Sequence, residues 1–170
     1  MTTQPILGVV FDKDGTLLDY HGTWDEPFAA MLTDFADGDE AVFARLCDEL
    51  GFDRDRRTIR ADSPFEFDSN DAFARRVGAL LGWPSEGFDP IQAIEDSLSR
   101  VTPSSPVPSP GAGALLLELE GRGVPMAIAT NDSAARAQGQ MEALGWGSHF
   151  SAVLGYDSGH PEKPDPAMVR

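Results

Sequence analysis

The chain has 170 residues, which suits one domain of ordinary size or a small core that carries an insert. Hydrophobic residues make up 41% of it, enough to build a packed core, so wholesale disorder is excluded. The formal net charge of -15 argues against nucleic acid and against anionic membrane surfaces as partners, and it favours high solubility.

Cysteine usage and the N-terminal residues bear on the cellular compartment. A single cysteine, Cys47, excludes a disulfide framework and favours a reducing compartment, so we expect a cytoplasmic location. Cys47 lies in a helical pattern and is expected to pack in the core. Residues 1–5 lack a basic region and the apolar run after them is short, so neither a signal peptide nor a membrane span is predicted.

The apolar run 6–11 predicts one buried β-strand that ends in acidic residues. Asp12 and Asp14 follow it directly, and Gly15 comes next. Open α/β sheets bind their ligands beyond the carboxyl ends of their strands. Two acids this close repel each other unless a cation or a shared proton relieves the repulsion. Alone, the pattern also fits a calcium-type loop or a plain turn.

A helical insert is predicted after this first strand. Apolar residues recur at spacings of three and four, and no strand pattern appears between residues 23 and 101. For the first helix we expect Thr23 as N-cap and Glu26 as its capping-box partner. The proline-rich segment 102–111 is expected to be the stiff connector that ends the insert. The predicted helices are about 24–35, 39–50, 71–81 and 90–101.

The remaining residues alternate between helical and strand patterns. This order predicts an α/β fold with a Rossmann-like parallel sheet and right-handed crossovers. We assign 1–20 and 105–170 to that core, and 21–104 to an all-helical cap domain. The predicted elements are a helix at 112–120, a strand at 124–130, a helix at 133–144 and a strand at 150–155.

Polar residues follow each of the three predicted strands. Asp12 and Asp14 follow the first strand, Thr130 and Asn131 end the second, and Lys163 comes after the third. Since the carboxyl ends of parallel strands share one edge of the sheet, we expect these side chains to converge. A nucleophilic carboxylate, anion-binding donors at a helix N-terminus and a fixed positive charge together suit a phosphoryl group.

These motifs resemble those of the haloacid dehalogenase-like hydrolases, in particular the phosphoglycolate phosphatase-like subgroup with an α-helical cap. The matching segments are 12–16, 130–131 and 163–166, in the family's order. Thr130-Asn131 alone would be no more than a helix cap, and Lys163-Pro164 alone would be an ordinary solvated lysine. The resemblance covers nearly the whole chain.

The resemblance implies a role for each motif residue. Asp12 would attack phosphorus and form an aspartyl-phosphate, and Asp14 would act as the general acid and base. The Asp12 carboxylate and the Asp14 backbone carbonyl would hold Mg²⁺. Thr130 and the Asn131 amide would bind phosphate oxygens, and Lys163 would bind phosphate and stabilise the charged intermediate.

Substrate choice in this family lies largely in the cap, which implies Arg57, Arg60 and Ser63 as candidate specificity residues. The segment around them holds four arginines within seven residues, which could steer an anionic substrate. Neighbouring aspartates favour, for any single arginine, a solvated loop in which the charges neutralise one another.

The leading prediction is a Mg²⁺-dependent phosphatase for a small phosphorylated metabolite, with phosphoglycolate as the nearest family substrate. A phosphomutase of the β-phosphoglucomutase type and a catalytically impaired interaction module are the alternatives. The family's fourth motif, an acidic pair that completes the Mg²⁺ site, has no match before Arg170. We therefore expect that the gene product continues, or that a second copy in a homodimer covers the first strand. If neither holds, weak Mg²⁺ binding and little activity are expected.

Overall fold

The computed structural model describes residues 6–100 and 106–170. The N-terminal residues 1–5 and the first part of the predicted proline-rich connector lie outside the described residues. The chain divides into two compact units. The first comprises 1–20 with 105–170, and the second comprises 21–104; they are called the core unit and the insert unit below.

The core unit is built on a three-stranded parallel sheet, as predicted. In it β1 (Val9–Phe11) pairs with β4 (Met126–Ala129), and β4 pairs with β5 (Ala152–Leu154), so the strand order is β1-β4-β5. The connections between these strands carry the helices α6 (Ala112–Gly121) and α7 (Ala134–Ala143). The fold class is therefore confirmed, and the carboxyl ends of the three strands lie at one edge of the sheet.

The strands of the core unit are apolar because their inward-facing residues form part of its hydrophobic core. Strand residues alternate between the two faces of a sheet, so Val9 and Phe11 point to one face and Val10 to the other. Phe11 is buried and contacts Phe150 edge to face with ring centroids 6.4 Å apart, whereas Val10 is 49% exposed. The core around Phe11 is completed by residues from α6, β4 and α7: Leu116, Leu119, Met126, Ile128 and Met141.

Strand β1 lies at an edge of the sheet. Among the described residues its ladder partner is β4, and the apolar residues before it are exposed: Ile6 by 65% and Leu7 by 84%. An apolar strand at an open edge is a template for pairing with another segment or chain. What covers it, whether a further segment or a second copy, stays a prediction.

The insert unit contains five helices and one small hairpin within residues 21–100. Three of the helices begin and end within about one residue of the predicted bounds, the first begins earlier than predicted, and the short helix at 64–67 was not predicted. The expectation of an all-helical cap is wrong. Phe52–Asp53 (β2) pairs antiparallel with Thr58–Ile59 (β3). Strands of two residues are too short to show an alternating pattern, so this hairpin was not predicted. The helices are α1 (Tyr20–Ala36), α2 (Glu40–Leu50), α3 (Pro64–Phe67), α4 (Asn70–Leu81) and α5 (Pro90–Arg100).

The start of α1 differs from the prediction. The helix begins at Tyr20, so Thr23 lies inside it and is buried rather than acting as the N-cap. The helices α2 and α4 are capped by Asp39 and Ser69, whose side chains accept amide hydrogen bonds at the N-termini. Gly51 and Gly82 end these helices in the left-handed conformation.

None of the helices within 6–100 and 106–170 combines the length and the apolar character needed to cross a bilayer.

Candidate functional site

Asp12 lies immediately after β1 with both carboxylate oxygens engaged. Lys163 Nζ lies 2.5 Å from Oδ1, and the Thr16 hydroxyl donates to Oδ2 at 3.3 Å. The Asp12 side chain is 42% exposed, so a solvent-borne substrate can reach it. A carboxylate that is oriented by a cation and a hydroxyl while open to solvent has the properties of a nucleophile.

The turn after Asp12 is formed by the backbone. The Lys13 carbonyl accepts from the amides of Leu17 and Leu18 at 2.9 and 3.0 Å, and Gly15 donates back to the Leu18 carbonyl at 2.9 Å. Gly15 has φ +74°, a conformation that most other residues adopt only with strain. This turn places Asp12 and Asp14 in one compact loop.

Asn131 and Lys163 connect the end of β4 to the loop after β5. The Asn131 Nδ2 group donates to the Lys163 carbonyl at 2.9 Å, and the Lys163 amide donates to Asn131 Oδ1 at 2.8 Å. The structure thus brings together Asp12, Asn131 and Lys163, three residues that the sequence predicted to converge. The side chain of Asn131 fixes the lysine loop, a role that the sequence did not predict.

Thr130 is almost fully buried, with 1% exposure. Its hydroxyl oxygen accepts from the Asp132 amide at 3.1 Å, and its own amide donates to the Leu154 carbonyl of β5 at 2.9 Å. A hydroxyl carries one donor and two acceptor sites, so the Asp132 amide uses one acceptor site of Thr130. Its predicted contact with phosphate stays a prediction.

The N-terminus of α7 lies beside the end of β5. Ser133 caps the helix by accepting from the Arg136 amide, and Asp157 accepts from the Ala134 amide at 2.9 Å. Gly155 lies so close to this helix that a Cβ atom there would be 2.2 Å from the Ala134 nitrogen. A glycine at 155 is therefore required for the end of β5 to pack against the start of α7.

A buried cluster of charged side chains lies behind the Asp12 loop. Lys13 is fully buried, and its Nζ lies 2.7 Å from Asp14 Oδ1 and 2.6 Å from Gln140 Oε1. Asp132 Oδ2 lies 3.0 Å from the same nitrogen, an ion-pair contact without hydrogen-bond geometry. Arg136 donates to the other oxygen of Asp132 at 2.8 Å. The Asp132 carboxylate thus lies between two cations, which offsets the cost of burying its charge.

Sequence reasoning did not identify this cluster, although one signal was present. Lys13 is two residues after Phe11 and four after Val9. The alternation of side chains along a strand would therefore place it on the core-facing side with them. Its charge favoured a solvent-exposed interpretation instead. The sequence contains two lysines, Lys13 and Lys163, and both lie at this site.

The predicted specificity residues have unequal surroundings within the insert unit. Arg57 lines a cavity of about 520 Å³ together with Arg54, and it pairs with Glu26 at 3.1 Å. Arg60 donates to the Asp48 carbonyl at 2.9 Å and pairs with an aspartate beside it. Ser63 is fully buried, caps α3 and donates to the Leu50 carbonyl at 2.7 Å, so local structure already accounts for its hydroxyl. A role in substrate choice for these residues stays a prediction.

The geometry agrees with a comparison of the whole chain with known families. The model of the haloacid dehalogenase-like hydrolases matches residues 6–170. The chain belongs to this family. Its likeness to a structure described as a predicted phosphoglycolate phosphatase from Haemophilus somnus 129PT has a TM-score of 0.60, with 18% identity over 96% of this chain and 68% of that one. At that identity the likeness shows the fold.

Curated relatives of this hydrolase carry phosphatase names. A probable phosphatase, IndB, of Dickeya dadantii is 30% identical over 94% of this chain and 63% of the relative. A phosphoglycolate phosphatase of Mesorhizobium japonicum is 38% identical, over 96% of this chain and 65% of the relative. The chain therefore spans about two thirds of the length of the curated relatives it matches.

Metal-binding groups at the site of this hydrolase are few. Within the described residues, no group of three or more His, Cys, Asp or Glu side chains is arranged to hold a metal ion. The Asp12 carboxylate, exposed at the strand end, offers the hard oxygen donors that Mg²⁺ prefers. Cys47 is not a candidate ligand or nucleophile, because it is fully buried in the insert unit and burial raises the pKa of its thiol.

Proposed function

We propose that this hydrolase is a Mg²⁺-dependent phosphatase for a small phosphorylated metabolite, acting through an aspartyl-phosphate on Asp12. The observation that carries the proposal is the accessible Asp12 carboxylate held between Lys163 and Thr16, with Asp14 two residues further on. Phosphatase names among the curated relatives support the reaction class, and phosphoglycolate is the first substrate to test.

The first half of the reaction transfers the phosphoryl group to the protein. An Asp12 carboxylate oxygen attacks phosphorus as the bond from phosphorus to the ester oxygen breaks. Asp14, in its acid form, gives its proton to the departing alkoxide and becomes a carboxylate. Lys163 lies 2.5 Å from Asp12, so its positive charge faces the phosphoryl oxygens as they approach.

The second half releases inorganic phosphate. The Asp14 carboxylate takes a proton from water as the water oxygen attacks phosphorus, and the bond from phosphorus to Asp12 breaks. Asp12 returns as a carboxylate and Asp14 as an acid, so the cycle closes without any other proton donor.

The residues that would hold Mg²⁺ are the Asp12 carboxylate and the Asp14 backbone carbonyl. Mg²⁺ commonly keeps several waters and binds through one or two carboxylates plus substrate phosphate, so a small set of protein ligands fits this ion. When bound, it would neutralise phosphate charge and so permit attack by an anionic nucleophile.

The deciding experiment compares Asp12→Asn with the wild-type chain in the release of inorganic phosphate from p-nitrophenyl phosphate and from phosphoglycolate, with Mg²⁺ present. We expect loss of turnover to background, because an amide cannot form the aspartyl-phosphate. Asp48→Asn, an exposed aspartate on α2, is the matched control and should retain wild-type turnover. Turnover by Asp12→Asn equal to that of the wild type would contradict the proposal.

A further inference from the structure

Lys13 contacts Asp14 but has no role in the reaction proposed above. Its side chain is fully buried, an uncommon position for lysine, and in the sequence it stands between Asp12 and Asp14. Its Nζ donates hydrogen bonds to Asp14 Oδ1 and Gln140 Oε1, and it forms an ion pair with Asp132 Oδ2 at 3.0 Å. Gln140 lies on α7 and Asp132 lies just before its N-cap, and both are far along the chain from Lys13.

This arrangement fixes Lys13 independently of Asp14. Asp132 is itself held by Arg136 at 2.8 Å and by the Ser133 amide at 2.8 Å, and its side chain is only 6% exposed. The Lys13 ammonium group is therefore anchored to the helix, and Asp14 is the more exposed partner at 20%. A rigid donor that touches a partly exposed carboxyl sets the direction of that carboxyl.

We propose that Lys13 is a positioning residue that orients Asp14 for proton transfer to the leaving group. This inference rests on the proposed function. An ammonium group only donates hydrogen bonds, so Asp14 Oδ1, at 2.7 Å from Nζ, remains an acceptor. The exchanged proton is then carried by Oδ2, in one fixed direction during both halves of the reaction.

A purely structural role for Lys13 would lower activity toward every substrate alike. A positioning role would act only where the leaving group needs a proton. An alkoxide is a poor leaving group and needs protonation, whereas p-nitrophenolate leaves without it. The ratio of kcat/KM values for the two kinds of ester therefore separates the two roles, because kcat/KM excludes the later hydrolysis of the aspartyl-phosphate.

The test measures kcat/KM of wild type, Lys13→Met and Gln140→Ala with a series of alkyl and aryl phosphates. For Lys13→Met we expect the alkyl esters to lose at least about tenfold more than p-nitrophenyl phosphate, within the roughly 10²- to 10⁴-fold range of general acid catalysis. Gln140→Ala should also lose more kcat/KM with the alkyl esters than with p-nitrophenyl phosphate, but the difference should be smaller than for Lys13→Met. Gln138→Ala is the matched control, since this exposed glutamine on the same helix donates a hydrogen bond to Glu142, away from the cluster. Equal losses across the series would overturn the proposal.

Two further outcomes are informative. If Lys13→Met does not fold, Gln140→Ala carries the test, because it leaves every ionisable side chain of the cluster in place. If the wild-type chain hydrolyses none of the esters, the proposed function fails for this chain. The positioning claim is then judged from crystal structures of the wild type and Gln140→Ala or Lys13→Met. An Asp14 carboxyl that keeps its direction without these contacts would overturn it, and a displaced or disordered one would support it.

Discussion

The side-chain amide of Asn131 forms two hydrogen bonds with the backbone of Lys163, one in each direction, at 2.9 and 2.8 Å. The same lysine reaches Asp12 with its Nζ. The position of the Lys163 charge thus depends on an amide that lies at the end of a different strand. Asn131 acts on the backbone of the lysine and Asp12 on its side chain, so the two contacts can be separated by substitution.

Asn131→Ala should weaken both folding and activity. Losing two partly buried hydrogen bonds should lower the free energy of unfolding by about 1–3 kcal/mol. Because the contact is to the Lys163 backbone, the stability loss should be the same in a Lys163→Ala background, whereas the activity losses should not add. Urea unfolding and phosphate release on the two single variants and the double variant check both statements. Fully additive activity losses would contradict the coupling.

Gly155→Ala should destabilise the core unit, because the added methyl group would meet backbone atoms of 132 and 134 at 2.5 and 2.2 Å. Overpacking of this kind costs about 1–3 kcal/mol. Gly139→Ala on α7 is the matched control, with nothing within 4 Å of its added Cβ. It should instead stabilise the helix by about 0.5–1 kcal/mol. Thermal melts of both variants give the comparison, and a Gly155→Ala melt at or above the wild-type temperature would contradict the close approach.

Ser63→Ala tests whether this residue serves the insert fold or the substrate. We expect a loss of about 1–2 kcal/mol in unfolding free energy, from the helix cap and the buried bond to Leu50, with KM unchanged. Ser69→Ala removes the cap of α4 alone and should cost less. Denaturant unfolding and substrate titration provide the two measurements. A raised KM at wild-type stability would make Ser63 a substrate contact.

Asp34 should make the stability of the insert unit depend on acid pH. Hydrogen bonds from Ser97 and then from Arg100, both at 2.7 Å, lower the pKa of its carboxyl below the ordinary value. The stabilisation is therefore complete above the unfolded-state pKa, about 3.9, and is lost as the pH falls through the lower folded-state pKa. Wild type should melt higher than Asp34→Asn at pH 6, and the difference should shrink toward zero in stronger acid. If the difference in melting temperature between wild type and Asp34→Asn grew as the pH fell, the prediction would be contradicted.

Much of the core unit was predictable because its elements repeat strong local patterns. The apolar run of β1 and the alternation of helix and strand indicated a parallel sheet, and the ends of its strands do meet at Asp12 and Lys163. The β2–β3 hairpin was not predictable, since two-residue strands carry no period. The start of α1 was missed because Thr23 satisfies the rules for a cap and yet is buried inside the helix.

The Lys13 cluster was missed for a different reason. Hydropathy predicts that a lysine is exposed to solvent. Only the even spacing of Lys13 from the core-facing residues Val9 and Phe11 indicates burial. The partners that make its burial possible, Asp132 and Gln140, are more than one hundred residues away and become visible only in the folded chain. A buried charge is specified by its partners, and the local sequence holds only one of them.

The scarcity of lysine gives this chain an unusual amine chemistry. Apart from the α-amino group, its primary amines are Lys13, which is fully buried, and Lys163, which is 31% exposed and bound to Asp12. Amine-reactive dyes, cross-linkers and sensor surfaces will therefore couple to the folded protein at its N-terminus or at the proposed active site. Immobilisation through lysine should block the site it is meant to report on, and attachment through an engineered surface cysteine avoids that conflict.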